Sequence, residues 1–512
     1  MQDEVLAAGQ ADVYGLFRTC ALRNPFAVAI ECEGRSISYA ALLERVDRVA
    51  SGLLARGVRP GERIAILSHN RPEYIELQLA AAAVGAIVAC LNWRLAPAEM
   101  RHCIELVEPV LAVVEPALHP VLADVTAVPA IEFGAAWDGL GERLSRDPRL
   151  GTLVPNGEAG LTILYTSGTT GLPKGALISH RAHAARAAVF AAELALRDTD
   201  AFIAWAPMFH MASTDHMLAT LVRGGTVIVI DGFDPAAINR ALARHVIGWL
   251  VMMPSVIEAF IAVREADPVP IRGIRACGAM ADLVPRHQIA ALTRLLGTPY
   301  VNSFGATETG LPPASGGLIE IGVAPADLGK RISSFCQARL VDPDDNDVPD
   351  GEPGEMAVRG PTLFSGYWNT PETNAREFRG GMFHMGDVFR RRPDGRIDFV
   401  DRVKYMIKSG GENIYPAEIE RVLLGHPAVS EAAVVKAADP QWGERPVAFV
   451  ACSGTQAMAD ELMALCRAQL AGYKCPREIH FLGFDDFPRS TSGKVQRHAL
   501  EARLALPLPA RR

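Results

Sequence analysis

A short apolar run, residues 161–164, gives way after Tyr165 to Thr166-Ser167-Gly168-Thr169-Thr170-Gly171-Leu172-Pro173-Lys174-Gly175. The run reads as a buried strand, so the loop leaves a strand end, where open α/β sheets place their ligands. Gly168, Gly171 and Gly175 let the backbone turn tightly and come close to a ligand. The hydroxyls of Thr166, Ser167, Thr169 and Thr170, with neighbouring N–H groups, can surround phosphate oxygens, and Lys174 adds charge. The spacing is not that of the P-loop, because Lys174 is followed by Gly175 rather than Ser or Thr. The same composition suits an ordinary solvated turn, so the choice falls to the rest of the chain.

Upstream, residues 42–54 carry apolar positions at helical spacing, with Gly57 just beyond their end; 63–67 and 110–114 read as strands and 72–84 as another helix. Downstream, 183–194 reads as a helix and 200–206, 226–230 and 249–252 as strands. This alternation predicts parallel sheet with helices packed on its faces. From Gly329 the texture changes to short strands and acidic or Gly/Pro turns, which predicts a smaller β-rich subdomain. Beyond Asp401-Arg402-Val403-Lys404 a compact tail of β–α alternation follows. A chain of 512 residues is too long for one simple core, and a boundary near Lys404 divides it into 1–402 and 403–512.

A formal net charge of −7 and the lack of any Lys/Arg block give no electrostatic case for nucleic acid. The longest apolar run, 79–91, is too short to span a bilayer, and the first ten residues lack the basic start and apolar core of a signal peptide. Nine cysteines form no CxxC pair, so neither zinc nor a disulfide framework is implied; reduced thiols fit a cytoplasmic enzyme.

The wording of the loop is more specific than its composition. Tyr165 to Gly175 resembles the phosphate loop of the adenylate-forming superfamily, and four later motifs resemble that family's in order. Ser303-Phe304-Gly305-Ala306-Thr307-Glu308-Thr309 is similar to its Y-G-x-T-E motif: Thr307 is expected at the α-phosphate, Glu308 on Mg²⁺, and Phe304, usually Tyr in the family, against the adenine. Gly278, Ala279, Asn302, Ser303, Gly305 and Ala306 are implied to border the nucleotide. Asp387, in Phe383-His384-Met385-Gly386-Asp387, is implied to accept from the ribose hydroxyls, and Arg402 to contact ribose or α-phosphate. Lys404 falls at the family's hinge. Lys494, in Pro488-Arg489-Ser490-Thr491-Ser492-Gly493-Lys494, is implied to reach the carboxylate and α-phosphate, where charge builds during adenylation. That stretch also looks like a recognition motif for bacterial lysine acetylases, which would neutralise Lys494.

For the second half-reaction, Lys408, Ser409, Gly410, Gly411 and Glu412 resemble the loop that forms the pantetheine tunnel. Trp442 lies where some relatives stack the CoA adenine, although a core tryptophan is the alternative. Tyr473, Lys474 and Arg477 lie where some relatives contact CoA phosphates, with Cys475 in place of a basic residue. His210, after Pro207-Met208-Phe209, resembles the histidine that shields the acyl pocket; a buried structural histidine is its alternative. It stands where amino-acid-activating relatives carry Asp, so it argues against an amino-acid substrate. Met280, Gly305 and Leu311 complete an apolar acyl pocket, while the facing of Asp215 and His216 stays open.

The resemblance implies an α/β and α+β multidomain fold: a large N-terminal domain of α/β subdomains plus a β-rich one, then a small mobile α+β domain. The implied activity is that of an AMP-forming, fatty-acyl-CoA ligase-like synthetase. It joins a medium-chain aliphatic or aryl carboxylic acid to CoA through an acyl-adenylate, with ATP and Mg²⁺. The alternative acceptor is a carrier protein, and a homodimer is compatible with either. A non-catalytic nucleotide-binding protein is the reading from another class, and Lys494 speaks against it.

Overall fold

The computed structural model describes residues 11–142, 144–154, 156–166, 172–410, 412–452, 459–489 and 495–504. The first alternation closes into a six-stranded sheet in the order Ala130–Glu132, Leu111–Val114, Arg63–Leu67, Ile87–Cys90, Gly160–Thr166, Lys174–Ser179, parallel except for the last pair. The helix Pro72–Val84 is buried over nearly its whole length, which explains why its sequence shows no polar face. It ends where Gly85 takes a left-handed φ of 74°, a conformation that glycine adopts without steric cost.

The second alternation forms a separate eight-stranded sheet: Leu318–Ile319, Tyr300–Val301, Ile274–Cys277, Ile247–Leu250, Ala201–Ala204, Val227–Val229, Val28–Cys32, Arg35–Ser38. Its inner pairs are parallel and its edge strands antiparallel. The strand expected at 249–252 starts two residues earlier, because Ile247 pairs with Ile274, and stops before the Pro254–Ala266 helix. Loops from both sheets leave the carboxyl ends of parallel strands: Thr166 ends one, Gly278 follows another, and Asn302 and Ser303 follow a third.

The β-rich region is an antiparallel sheet of Gln337–Val341, Pro353–Arg359, Met382–Arg391, Phe378–Arg379 and Ile397–Arg402. Lys330 fastens it to the eight-stranded sheet. Its backbone pairs with Ile397 on one side. Its fully buried ammonium donates to Asp282 and, at 2.7 Å, to Asn302 Oδ1 on the other.

After Tyr405 the chain builds a second core of its own around Ile407, Ile419, Val434 and Val450. Glu412–Ile414, Ile407–Ser409, Gly443–Cys452, Val429–Asp439 and Glu478–Phe481 form its sheet, with helices Pro416–Leu423, Ala459–Gln469 and Arg497–Leu504 beside it. This smaller domain rests on the β-rich sheet through Tyr415, packed with Val388 and Val400, and through Asp401, whose Oδ2 accepts from Ala417 N at 2.7 Å. Among the described residues no helix is long and apolar enough to cross a membrane.

Removing the Lys330 ammonium leaves Asp282 as a buried charge whose nearest other cation is Arg421, at 3.9 Å. Lys330→Met is expected to lower stability by about 3–5 kcal/mol, the range for breaking one side of a buried pair, read by chemical denaturation. A loss below about 1 kcal/mol would mean that Arg421 takes over the partnership.

Candidate functional site

The strand Gly160–Thr166 delivers Thr166 to the start of the glycine-rich loop, and Thr166 Oγ1 is buried without a hydrogen-bond partner among the described residues. Ser167, Gly168, Thr169, Thr170 and Gly171 lie outside the described residues. On the far side of the loop, Lys174 Nζ stands 3.2 Å from Glu377 Oε1 and 3.7 Å from the centre of the Tyr367 ring. The Tyr367 hydroxyl in turn donates to Glu308 Oε1 at 2.7 Å. Burial, reinforced by the Glu308 charge, pushes the Tyr367 phenol far above its ordinary range, so it remains a donor. Residues 365–368 run beside the Lys174–Ser179 strand through Ser365, Trp368 and Leu177 backbone bonds, and this brings Tyr367 between the two motifs.

Thr307 and Glu308 sit in the turn of a hairpin, Phe304–Ala306 against Gly310–Ala314. A Cβ at Gly305 would lie 2.0 Å from Gly310 O, so only glycine allows that approach. Glu308 is 9% exposed, and its second oxygen takes no hydrogen bond among the described residues. The Thr307 carbonyl accepts from Arg186 Nη2 at 3.1 Å; the same guanidinium donates to Asp215 Oδ2 at 2.9 Å and to Thr362 O at 2.9 Å. The Phe304 ring is buried against Phe389 and Phe399, at centroid distances of 4.7 and 5.9 Å. Asn302 serves the Lys330 contact and donates to Leu328 O, and Ser303 is buried beside it. Gly278 has φ +94°, and a side chain there would strike the Tyr300 ring; Trp249 Nε1 donates to its carbonyl at 2.9 Å, and the half-buried Ala279 and Met280 follow.

Asp387 and Arg402 are cross-strand partners, with Arg402 Nε 2.9 Å from Asp387 Oδ1. The Asp387 charge raises the Arg402 pKa further. Exposed Lys404 lies 4.9 Å from the Tyr405 ring, which Arg497 also contacts at 4.4 Å. The predicted tunnel loop and Trp442 meet: Gly410 N donates to Trp442 O at 2.8 Å, and a Cβ at Gly410 would lie 2.6 Å from the indole. Trp442 is 43% exposed, which removes the core-tryptophan alternative. Ser409 pairs with Glu412 and Gly443, Lys408 N donates to Glu444, and Gly411 is outside the described residues. Tyr473 and Arg477 are exposed, whereas Lys474 is bonded to Glu418 Oε2 at 2.7 Å. Lys494 lies outside the described residues; the segments flanking it pair through Arg489 with Val495 and Gln496 with Pro488.

His210 caps the Met211–Arg223 helix, its Nδ1 accepting from Ala212 N at 3.2 Å, so the neutral ring carries its proton on Nε2. Further along that helix, Asp215 and His216 do face the predicted acyl region: with Arg186, Phe190, Leu311 and Pro312 they line a small cavity. Burial pulls His216 down to about 3, and burial together with His183 does the same to His180. Burial works against the Asp215 charge, but Arg186 overrides it and holds the carboxyl down at about 2. Tyr367, Arg186 and Glu377 are the residues that sequence reasoning missed. Arg186 had one available signal, a lone charge in the alanine-rich run 184–188.

Residues 17–368 match the family of AMP-binding enzymes and residues 418–494 the AMP-binding enzyme C-terminal domain. The chain is 37% identical to a feruloyl-CoA synthase of an Amycolatopsis species, over 92% of this chain and 95% of that one. It is 35% identical to an indoleacetate–CoA ligase of Aromatoleum aromaticum, over 93% and 94%. The solved o-succinylbenzoate CoA synthetase of Bacillus subtilis, in complex with its acyl-adenylate intermediate, superimposes with a TM-score of 0.82 at 26% identity, covering 96% of this chain and 98% of that one.

The buried histidines set an acid limit. His180 and His216 stay neutral in the folded protein down to about pH 3, whereas the unfolded chain protonates them below about 6.5. The unfolded state therefore binds more protons in that window, and stability falls as pH drops from about 6.5 toward 3, at about 1.4 kcal/mol per pH unit for each histidine. Asp215 adds to the fall below about 3.8. His216→Phe is expected to flatten the slope by one histidine's share in urea titrations between pH 4 and 6; an unchanged slope would refute the assignment.

Proposed function

The chain belongs to the family of AMP-binding enzymes, and on that premise we propose that it is an AMP-forming CoA ligase whose acid substrate is aromatic. What carries the reading is the contact chain Lys174–Tyr367–Glu308 beside the strand-end loop. It holds a cation and a hard carboxylate one ring apart, the pair that a Mg²⁺-bound polyphosphate requires. The curated relatives narrow the acid: both the feruloyl- and the indoleacetate-activating enzymes take ring-bearing carboxylates, as their names state.

In the first half-reaction the acid's carboxylate oxygen attacks the α-phosphorus of ATP, and the bond from that phosphorus to pyrophosphate breaks. In the second, the CoA sulfur attacks the acyl carbonyl, its proton is lost, and AMP leaves. Activation replaces a poor leaving group by a good one. Lys174 and the loop hydroxyls bind the phosphates, the Thr307 hydroxyl meets the α-phosphate, and Asp387 and Arg402 hold the ribose. Mg²⁺ neutralises phosphate charge when bound, and the single carboxylate of Glu308 fits an ion that takes most of its ligands from phosphate and water. Phe304, packed inward on Phe389 and Phe399, offers the base at most an edge of its ring. His210, fixed by its capping bond, borders the acyl group with Met280 and Leu311. Lys494 brings charge to the adenylation centre from the 403–512 domain, which turns about Lys404. The Gly410–Trp442 contact offers CoA a glycine edge and an exposed indole. Tyr473 and Arg477 extend that surface, and Lys474 joins it only by leaving Glu418. Acetylation of Lys494 would silence the first step. Nine free cysteines support a reducing, cytoplasmic setting.

Pyrophosphate and AMP release measured over benzoate, phenylacetate, cinnamate, indoleacetate and medium-chain aliphatic acids, with and without CoA, tests the proposal. CoA-dependent turnover of aryl acids is expected; turnover of aliphatic acids alone would overturn the acid class. AMP release only with a carrier protein present would overturn the acceptor. Lys494→Ala is expected to slow adenylation roughly a hundred- to a thousand-fold and to spare thioester formation from supplied acyl-adenylate. Equal loss in both steps would contradict that division of labour.

A further inference from the structure

The cavity beyond Leu311 has a chemistry that an apolar acyl pocket does not need. His210 stands at the start of the Met211–Arg223 helix, and Asp215, His216 and Ala219 lie five to nine residues deeper on it, roughly 8–14 Å along the axis. Trp249 joins this depth to the nucleotide side: its ring centre is 4.4 Å from that of His216, and its Nε1 donates to Gly278 O. The cavity therefore shares Leu311 with the predicted acyl pocket and meets the Gly278 side through Trp249.

Three properties define what the cavity can hold. First, His216 is 5% exposed inside a cage of Phe190, Phe202 and Trp249, and its Nε2 is buried with no hydrogen-bond partner. An unsatisfied buried polar atom is costly, so a ligand group that meets it is favoured over one that does not. Second, the neighbouring charge is spent. The Arg186 guanidinium is compensated by Asp215 at 2.9 Å and also bonds two backbone carbonyls, so no net positive charge is left to hold a second carboxylate. Third, the cavity has room for about one water-sized group. A neutral imidazole offers one donor and one acceptor, the complement of a hydroxyl.

We propose that His216 receives a hydroxyl carried at the far end of the aryl acid, making it the residue that selects ring-hydroxylated substrates over unsubstituted ones. This rests on the aryl-CoA ligase reading above. It assigns His216 to specificity and leaves the Arg186–Asp215 pair to hold the wall and the Thr307 carbonyl. A methoxy group in the same position lacks the proton and exceeds the space, so it is rejected.

The test compares matched acids, benzoate, phenylacetate and cinnamate, each with and without a 4-hydroxyl, by kcat/KM for AMP release in the presence of CoA. In the chain length turned over best, the wild type is expected to favour the hydroxylated acid by about fivefold or more, the equivalent of one hydrogen bond. His216→Phe keeps the aromatic cage and is expected to bring the ratio close to one. Ala219→Ser, which puts one water-sized group into the cavity and leaves His216 in place, is expected to do the same. Circular dichroism and melting temperature check that both variants fold. Equal use of the two acids by the wild type, or an undiminished ratio in both variants, overturns this inference while the ligase reading stands. Turnover of aliphatic acids alone overturns both.

Discussion

Everything around the candidate site depends on one buried guanidinium. Arg186 projects from the helix that follows the Lys174–Ser179 strand, and it reaches three other segments: Asp215, Thr362 and the Thr307 carbonyl. Its burial is tolerable because Asp215 supplies an equal and opposite charge and the remaining N–H groups meet carbonyls. The constraint propagates into the sequence. Gly310 has φ +72°, and a Cβ there would come 2.7 Å from Arg186 Cδ, so the hairpin that carries Thr307 and Glu308 needs glycine where it passes the arginine. The position of the Glu308 carboxylate is thus fixed from behind by a buried ion pair.

The joint between the two domains is built on the same principle, with charge where an apolar seam would make it rigid. Across it, Arg497 lies 3.4 Å from Asp401, Arg390 3.7 Å from Glu418 and Arg421 3.9 Å from Asp282, while inside the smaller domain Arg497 bonds both carboxylate oxygens of Glu420 at 2.7 Å. Burial raises the Glu420 pKa to about 7 despite that arginine, so the network is electrostatically taut. Apolar contact across the joint includes Tyr415 and Met406 on the β-rich sheet and Ala417 against the main core. The half-exposed pairs can be exchanged for water at small net cost, whereas the buried Asp401 and Glu420 carboxylates need a partner in any arrangement.

The fold was legible wherever local pattern decided it. The strand at 63–67 and the helix at 72–84 match residue for residue, because a β-branched run and a Pro start with a Gly stop are encoded within each segment. The division into two sheets was not legible, since alternation specifies parallel pairing but not which strands pair. In the site, glycines declared themselves: Gly278, Gly305 and Gly410 each sit where a Cβ would collide. Contacts made across long separations did not. Arg186 meets Thr307 across 121 positions and Tyr367 meets Glu308 across 59, and neither pair leaves a local trace. Phe304 adds a contact that the motif did not announce: its ring packs against Phe389 and Phe399, which lie 85 and 95 positions further along. Motif wording identifies a neighbourhood; the direction a side chain takes is settled by what packs behind it.

Four of the charges that sequence assigned to ligands already have a partner. Lys174 has Glu377, Glu308 has the Tyr367 hydroxyl, Arg402 has Asp387 and Lys474 has Glu418. A bare cation held for phosphate would pay a desolvation cost in every unliganded molecule, and pairing removes that cost. Binding then becomes an exchange of partners, and its net gain is the difference between two charge-assisted contacts rather than the whole of one. An anionic polyphosphate can take Lys174 from Glu377 because it offers several charged oxygens in place of one carboxylate. A ribose is neutral and cannot displace Arg402; it can only add to the Asp387 contact. On the proposed reading, the same pairs would make nucleotide contacts strongest at the phosphates and weakest at the sugar, before any contact with the base is counted.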